Sequence, residues 1–148
     1  MRRQINLSNS FLPKKYIINL SGNKCTLLIL GKKLPPPAKR LALDAKKFKI
    51  IKVQITAFTK KSSDIKIVKR LNYLSKLEQL RIHTDAMLYP GPYQISLELE
   101  LSSKQAEQII LLAKTNDWSK SSLSSLFPCI DEPESRGSAS FELNYIDG

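Results

Sequence analysis

The sequence has 148 residues, a formal net charge of +11, eight prolines and two cysteines. A chain of this length buries a core without disulfides or metals, so its composition excludes a disulfide-stapled miniprotein and indicates one domain over residues 1–148, complete or part of a longer protein. No apolar run approaches the roughly 20 residues of a membrane helix, and the basic start lacks the apolar stretch of a secretory signal. We therefore expect a cytoplasmic protein that makes no contact with membranes.

The charge is divided unevenly along the chain. Residues 1–76 carry 19 lysines and arginines against Asp44 and Asp64, whereas residues 77–148 carry five against eleven aspartates and glutamates. The basic half could bind nucleic acid, could dock on an acidic partner, or could be an ordinary lysine-rich solvated surface. Lysines far outnumber arginines there, which weighs against recognition of phosphates in a fixed geometry.

Short alternating apolar runs predict strands through the first half of the chain. Residues 16–20 and 25–30 flank a Ser-Gly-Asn-Lys turn at 21–24, a pattern that predicts a hairpin with Tyr16 in the core. The three prolines at 35–37 predict an extended connector that crosses a sheet edge or passes between two sheets. Further strands are predicted at residues 41–43, 65–70 and 80–82.

A long strand is predicted over residues 46–59, followed by a turn at 60–64. Its odd positions from 51 to 57 are apolar, whereas Lys52, Gln54 and Thr56 face away from them. Phe48 and Phe58 fall on the lysine side, so they are the aromatic candidates for an exposed contact or for a contact with a second sheet.

The second half contains a clean half-buried strand over residues 93–101, after a Tyr-Pro-Gly-Pro turn. Ser102 and Gln105 form a capping-box signature, and apolar residues at helical spacing follow it, which predicts one helix near 103–114. A last strand alternates over residues 139–145. The tally of about eight or nine short strands with one helix indicates a mainly all-β fold, an antiparallel β-sandwich.

The sequence contains few side chains that could catalyse a reaction. His83 is the only histidine, and it falls on the opposite side of its strand from Leu80 and Ile82, as an ordinary partly exposed strand histidine would. A zinc site needs several nitrogen, sulfur or carboxylate ligands, and one histidine with the distant Cys25 and Cys129 does not supply them. We expect both cysteines to be reduced and partly buried, and we expect no catalytic residue and no metal ligand in this chain.

The most distinctive stretch is LFPCIDEP at residues 126–133, where two prolines bracket an acidic pair. Asp131 and Glu132 are adjacent, so in extended chain they point to opposite sides and do not form a general acid/base dyad. Asp131 can accept backbone N–H bonds within its own turn, which favours a structural role. The residues of this predicted signature turn are Pro128, Cys129, Asp131, Glu132 and Pro133.

This stretch, with Arg136 and the ASFEL run at 139–143, resembles the F-P-C-x-D-E-P…(K/R)-A-x-F segment of zinc aminopeptidases of the aminopeptidase N and puromycin-sensitive type. In that family the segment lies late in the N-terminal β-sandwich domain. Residues 12–16, 41–50 and 91–95 resemble, in the same order, the family's L-P-x-x-Y, L-H-A-x-x-L-x-I and G-x-Y-x-L strands. The resemblance therefore covers nearly the whole chain, with 127–133 as its specific part.

The sequence also departs from the family. The zinc motif H-E-x-x-H and the G-x-M-E-N exopeptidase loop, which in the family follow this domain, do not occur in these 148 residues. The family's Gln or Glu that holds the free amine of the substrate lies shortly before F-P-C, where this chain has Asp117, Ser119 and Ser124. The resemblance implies a contact with the substrate amine at this place in the sequence. Asp117 is the candidate for that contact, because its carboxylate is charged.

The resemblance implies a non-catalytic domain that packs on an aminopeptidase catalytic domain and walls one side of its peptide cleft. It implies zinc only in a full-length parent enzyme and no cofactor in this chain. The alternative from the residues alone is a basic interaction or nucleic-acid-binding module that uses residues 1–76.

Overall fold

A computed structural model describes residues 11–115, 123–130 and 139–146, with the side chain of Ile146 left aside. Within these ranges the chain is mainly β, with nine strands in two sheets and one α-helix, as the sequence predicts. The larger sheet has the order β5-β4-β8-β2-β1-β9 and the smaller one the order β3-β7-β6. The larger sheet contains β1 (Phe11–Ser21), β2 (Lys24–Lys33), β4 (Lys49–Phe58), β5 (Ser63–Lys66), β8 (Gly91–Glu100) and β9 (Ser140–Ile146). The smaller sheet contains β3 (Ala38–Asp44), β6 (Val68–Leu74) and β7 (Gln79–Leu88).

One pair of strands departs from the antiparallel prediction. β9 runs parallel to β1, with Tyr16 opposite Phe141 and Leu20 opposite Tyr145, whereas the other strand pairs are antiparallel. A parallel neighbour must return from the far end of the sheet over a long connection. Here seven strands and the helix lie between β1 and β9 in the sequence, so the connection is long enough for that return.

The predicted turns lie where the sequence puts them. β1 and β2 form the hairpin around Gly22, which has a φ of 60°. The proline connector at 35–37 joins the larger sheet to the smaller one, as predicted, with a cis peptide bond between Pro35 and Pro36 in place of a uniformly extended path. Tertiary amides before proline have only a small preference for trans.

The core contains buried side chains from both sheets and from the helix. Alternate residues of the central strands, such as Ile18, Leu27 and Leu97, have no exposed surface, and Ile82 and Leu43 of the smaller sheet join the same cluster. This alternation is the period-2 pattern of half-buried strands. The cysteines are also in this cluster and form no disulfide, and both are fully buried where the sequence analysis expects partial burial.

The helix α1 (Ser103–Thr115) begins with the predicted capping box. The Ser102 amide donates to Gln105 Oε1 at 2.9 Å, and the Gln105 amide donates to Ser102 Oγ at 3.1 Å. This reciprocal pair satisfies two backbone donors that a helix start leaves free. Ala106, Ile109 and Leu112 form the buried side of the helix.

The register of β4 corrects the sequence prediction. The prediction placed Ile51 with Val53 and Ile55 on the apolar face, but a β-bulge between Ile50 and Lys52 reverses the alternation at this point. Ile50 packs against the core, whereas Ile51 is 55% exposed. A bulge inserts one extra residue into a strand, and local alternation does not reveal it. Phe48 also packs against the core, so Phe58 is the exposed member of the predicted aromatic pair.

Candidate functional site

The described part of the signature segment, residues 126–130, is buried between the two sheets. A single 3-10 turn at Leu123–Ser125 leads into it, and every residue from Leu126 to Ile130 is buried. Phe127 and Cys129 have no exposed surface. This part of the segment therefore contributes to the core and presents no side chain to solvent.

Backbone hydrogen bonds attach the segment to the end of β3 in the smaller sheet. The Asp44 amide donates to the Cys129 carbonyl at 2.6 Å, and the Cys129 amide donates to the Asp44 carbonyl at 3.0 Å. The Lys46 amide donates to the Ser124 carbonyl at 2.9 Å. These bonds satisfy backbone groups that would otherwise be buried without partners, which is costly.

Tyr16 connects the same segment to the larger sheet. Its ring stacks on Phe141 with centroids 5.0 Å apart and meets Phe127 at 6.0 Å in a tilted arrangement. The Ile130 amide donates to the Tyr16 hydroxyl oxygen at 3.0 Å. Aromatic pairs at these separations are stabilising beyond their buried area. We call Tyr16, Phe127, Cys129, Ile130 and Phe141 the aromatic joint.

The aromatic joint has the features of a structural element. Its polar groups are backbone amides and carbonyls, the Tyr16 hydroxyl and a buried thiol. The other thiol, Cys25, is held protonated because burial raises its pKa to about 12, and a thiol in that form is a poor nucleophile. Among the described residues no group of three histidine, cysteine or carboxylate side chains could hold a metal ion.

The predicted site residues divide into two groups. Pro128 and Cys129 lie in the aromatic joint and its flank, and both are buried. The carboxylates of the turn, Asp131 and Glu132, together with Pro133 and the predicted amine contact Asp117, lie outside the described residues.

An open pocket of about 280 Å³ lies next to the joint, between α1 and the start of the signature segment. The Gln105 side-chain amide spans this boundary and donates to the Ser125 carbonyl at 3.1 Å. The pocket is lined by one ammonium, two amides, one hydroxyl and one apolar side chain, a mixture that does not indicate a particular ligand. The lining residues are Lys104, Gln105, Gln108, Ser125 and Leu126.

A second feature, which the sequence did not indicate, is a cluster of positive charge on the smaller sheet. Arg40 of β3 lies opposite His83 of β7, and His83 lies opposite Arg70 of β6. Arg81 lies two residues before His83 on the same strand. We call Arg40, Arg70, Arg81 and His83 the arginine face. The prediction of a basic surface covered residues 1–76 and their lysines, so it included neither Arg81 nor the strand pairing that assembles the cluster.

The lysines of the basic half behave differently, because several are neutralised within the chain. Lys15 Nζ lies 3.0 Å from Glu142 Oε1, Lys49 Nζ lies 3.6 Å from Glu100 Oε2, and Lys46 pairs with Glu78. In each of these pairs a lysine of the basic half meets a glutamate of the acidic half. Lys33 is buried, and its ammonium donates to the carbonyls of Leu34 and Pro36 at 2.8 Å.

Comparison with known proteins adds no family to this description. No protein-family model matches the sequence, and no curated protein matches it. In the described part of the chain, no helix has the length and apolar character needed to cross a membrane.

Proposed function

We propose that this chain is a non-catalytic β-sandwich domain of the kind that precedes the catalytic domain in zinc aminopeptidases. It would pack on that catalytic domain and form one wall of the peptide-substrate cleft. The proposal rests on the F-P-C-x-D-E-P resemblance and on the place of that segment in the fold.

The observation that carries the proposal is the aromatic joint. The described half of the most specific motif is hydrogen-bonded to β3 in one sheet and to Tyr16 in the other. Tyr16 itself belongs to the run at 12–16 that resembles the family's opening strand. Two pieces of the resemblance that are more than 100 residues apart in sequence are therefore in contact, through a hydrogen bond that spans 114 positions. Contact between separate matched pieces supports a common origin for the fold.

The chemistry of a parent enzyme would be the removal of N-terminal residues by a zinc-activated water. The zinc ligands would belong to the catalytic domain, and this chain would contribute shape and charge to the cleft. Asp117 is the residue that we propose to meet the free amine of the peptide, because a carboxylate attracts an ammonium group at close range. Neither cysteine forms a disulfide, which suits a reducing compartment such as the cytoplasm.

An activity assay tests the non-catalytic part of the proposal. The purified 148-residue chain, with zinc added, is expected to release no product from aminoacyl-arylamide substrates above the rate of buffer alone. Zinc-dependent turnover that scales with the concentration of the chain would contradict the proposal.

A binding assay tests the partner. We expect the chain to form a complex in size-exclusion chromatography with a zinc aminopeptidase catalytic region from which its own N-terminal domain has been removed. The coding sequence after Gly148 is a second test, since an H-E-x-x-H motif downstream would supply the zinc site. Failure to form the complex, together with no such motif, would remove the aminopeptidase proposal.

A basic interaction module remains the second candidate, and the arginine face is the observation that favours it. Several lysines are engaged in ion pairs with glutamates or are buried, so the lysine-rich half as a whole is a weaker candidate than this one cluster. A nucleic-acid-binding module would show affinity that falls steeply with salt. Binding that is absent, or flat across salt, would remove it.

A further inference from the structure

The arginine face concentrates one kind of cation in one place. The described residues contain three arginines, Arg40, Arg70 and Arg81, and all three lie in the smaller sheet, one on each strand. The basic charge elsewhere in the described chain is lysine. Arginine differs from lysine in presenting a planar fork of donors that matches a carboxylate or a phosphate in a fixed orientation. The segregation of arginine onto a single face therefore points to recognition of an anion.

Sheet geometry brings these guanidinium groups within reach of a common ligand. Arg40, His83 and Arg70 form one cross-strand row, and strands in a sheet lie about 4.8 Å apart. Arg81 occupies the next position on the same face of β7, about 6.8 Å along the strand. Arg40 and Arg70 flank β7 and are therefore two strand spacings, about 9.6 Å, apart. Their long side chains can lean toward each other and reach one acidic group, or two neighbouring ones, between them.

The side of the sheet that carries the cluster is clear from burial. Leu41, Leu80 and Ile82 point into the core with almost no exposed surface, whereas the residues that alternate with them, Arg40, Arg81 and His83, are partly exposed. Arg70 is exposed. Toward the other end of the sheet the same face is closed, because Ala42 and Gln79 are buried. The open part is therefore the row from Arg40 through His83 to Arg70, with Arg81 beside it.

The positive charge of this face is not balanced within the described part of the chain. The four ion pairs found there all use lysines, and none involves an arginine. Arg81 Nε donates to Gln79 Oε1 at 2.9 Å, a neutral acceptor. Arg40 and Arg81 lie diagonally across neighbouring strands, and burial together with the charge of Arg81 lowers the pKa of Arg40. A ligand that supplies negative charge would relieve this repulsion.

His83, at the centre of the row, has an unused polar atom. Its Nε2 atom is buried and has no hydrogen-bond partner among the described residues. Buried polar atoms in native proteins are nearly always paired. This nitrogen has almost no exposed surface, so a ligand above the row would contact the flanking guanidinium groups, and the unpaired nitrogen shows that the centre of the row lacks an internal polar partner among the described residues.

We propose that the arginine face is a docking site for an acidic segment of a partner protein, with carboxylate side chains of the partner seated on Arg40, Arg70 and Arg81. Charge complementarity is the basis of this assignment, and the geometry of the fork favours carboxylates held on a folded or extended peptide. The proposal stands independently of the aminopeptidase proposal, since it uses no residue of the aromatic joint.

A nucleic acid is the less favoured occupant. Protein surfaces that hold single strands interleave aromatic side chains with the cations so that bases can stack. On the described residues of this face the side chains beside the arginines are His83, Asn72 and the buried Ala42 and Gln79, and none of them is a large aromatic ring. The nearby Tyr73 alternates to the other side and donates its hydroxyl to the Ala45 carbonyl at 3.0 Å.

The experiment uses the full 148-residue chain and three variants. The arginine variant carries Arg40→Gln, Arg70→Gln and Arg81→Gln. The matched control carries Lys14→Gln, Lys32→Gln and Lys60→Gln, three exposed lysines for which the structure shows no ion pair within its described residues, so that both lose the same charge. A third variant changes the three arginines to lysine, which keeps the charge and removes the forks.

Binding is measured by fluorescence anisotropy with a labelled oligo-glutamate peptide and, separately, with an oligothymidylate of equal charge at the same ionic strength. We expect the arginine variant to lose about tenfold or more of its affinity for the peptide, because the charge-assisted hydrogen bonds from three guanidinium groups are lost together. The control variant should stay within about twofold of the parent, since screened surface charges contribute little. The lysine variant should fall between the two.

Three results would overturn the proposal. The peptide does not bind, or the arginine variant and the matched control lose affinity equally, which would mean that binding depends only on net charge. Alternatively, the oligothymidylate binds more tightly than the peptide through the same arginines, which would make the face a nucleic-acid site.

Two further measurements keep the test decisive if the triple variant fails to fold. Arg70→Gln alone, at an exposed position, should weaken peptide binding by about threefold or more. In the unmodified chain, addition of the peptide should shift the His83 imidazole nitrogen signals more than the amides of the 60–62 turn. An unchanged affinity and an unshifted histidine would both contradict the docking site.

Discussion

The aromatic joint and the arginine face are opposite solutions to the placement of polar groups. In the joint, the Cys129 and Ile130 amides donate to acceptors on the two sheets at 3.0 Å, and the Cys129 carbonyl accepts from the Asp44 amide at 2.6 Å. On the arginine face, three cations and a histidine nitrogen lie together, and none of them forms an ion pair with a described carboxylate. A satisfied buried network fixes a fold, whereas positive charge that no carboxylate balances on a partly exposed face indicates a missing anionic ligand.

The comparison also shows that the most conspicuous stretch of the sequence and the proposed binding surface are different parts of the molecule. The proline-bracketed motif attracts notice in the sequence, yet its described half is closed to solvent. The arginines are spread over residues 40, 70 and 81 and attract no notice, yet Arg40 and Arg70 meet in one row of a sheet and Arg81 lies beside it. Four changes, taken from the largest expected effect to the smallest, probe the difference between the two regions.

Truncation of Phe127 should have the largest effect. Phe127→Ala is expected to lower the free energy of unfolding by about 3–5 kcal/mol, because it removes a fully buried ring and leaves a cavity beside Tyr16. Urea denaturation followed by circular dichroism measures it. Phe58→Ala, at a position 37% exposed, is the matched control and should cost much less. Equal losses for the two variants would mean that the joint is no better packed than the surface.

Removal of the Tyr16 hydroxyl should have a smaller but clear effect. Tyr16→Phe keeps the stacked ring and leaves the Ile130 amide without that acceptor, which is expected to cost about 1–3 kcal/mol. Tyr145→Phe on the exposed strand β9 removes the same hydroxyl from a position 49% exposed and should change stability by less than about 0.5 kcal/mol. A neutral Tyr16→Phe would show that the hydrogen bond to Ile130 does not hold the segment.

The helix cap lies next to the joint and should contribute less still. Ser102→Ala removes the hydroxyl that accepts from the Gln105 amide and is expected to cost about 0.5–2 kcal/mol. Ser103→Ala, one residue later in the first turn, is the control and should be close to neutral. The two variants are compared by thermal unfolding, and a larger loss at Ser103 would contradict the capping-box assignment.

Acidification should destabilise the folded chain through His83, which lies in the arginine face. Burial first, and then the charges of the surrounding arginines and Lys69, lower the pKa of this imidazole below its usual 6.5. As the pH falls through about 6.5, the unfolded chain takes up the proton before the folded chain does, so the folded state loses stability. This contribution is fully present above the unfolded pKa and is lost toward the lower folded pKa.

His83→Gln removes that titration and should flatten the corresponding part of the stability curve between pH 7.5 and pH 5. The measurement is the denaturant midpoint at several pH values for the parent and the variant. Parallel curves for the two proteins would show that burial and the surrounding charges do not lower the pKa of His83 in the folded chain.

Local patterns were enough to predict much of the fold. The hairpin at Gly22, the strand at 93–101 and the capping box at Ser102 each depend on residues close in sequence, and their alternation or spacing is visible without a structure. The structural interpretation of residues 126–130 also followed from the scarcity of catalytic partners rather than from any contact.

The rest depends on long-range pairing, which a single sequence does not display. The bulge that turns Ile51 outward follows from the register of β4 against β8, and the parallel placement of β9 follows from the topology of the larger sheet. Residues 65–70 read as one strand but divide between the two sheets, with β5 in one and β6 in the other. The arginine face depends on the pairing of β3, β7 and β6, so composition alone counted Arg40 and Arg70 in a diffuse basic half and Arg81 in the acidic half.

Native-state hydrogen exchange at the Asp44, Cys129 and Ile130 amides tests the central claim most directly. If the signature segment joins the two sheets, these three amides should exchange only by opening reactions close in free energy to global unfolding, like the amides of β1 and β8. Exchange as fast as that of the exposed 60–62 turn would show that the segment is a surface loop, and the assignment of the motif as a structural joint would be wrong.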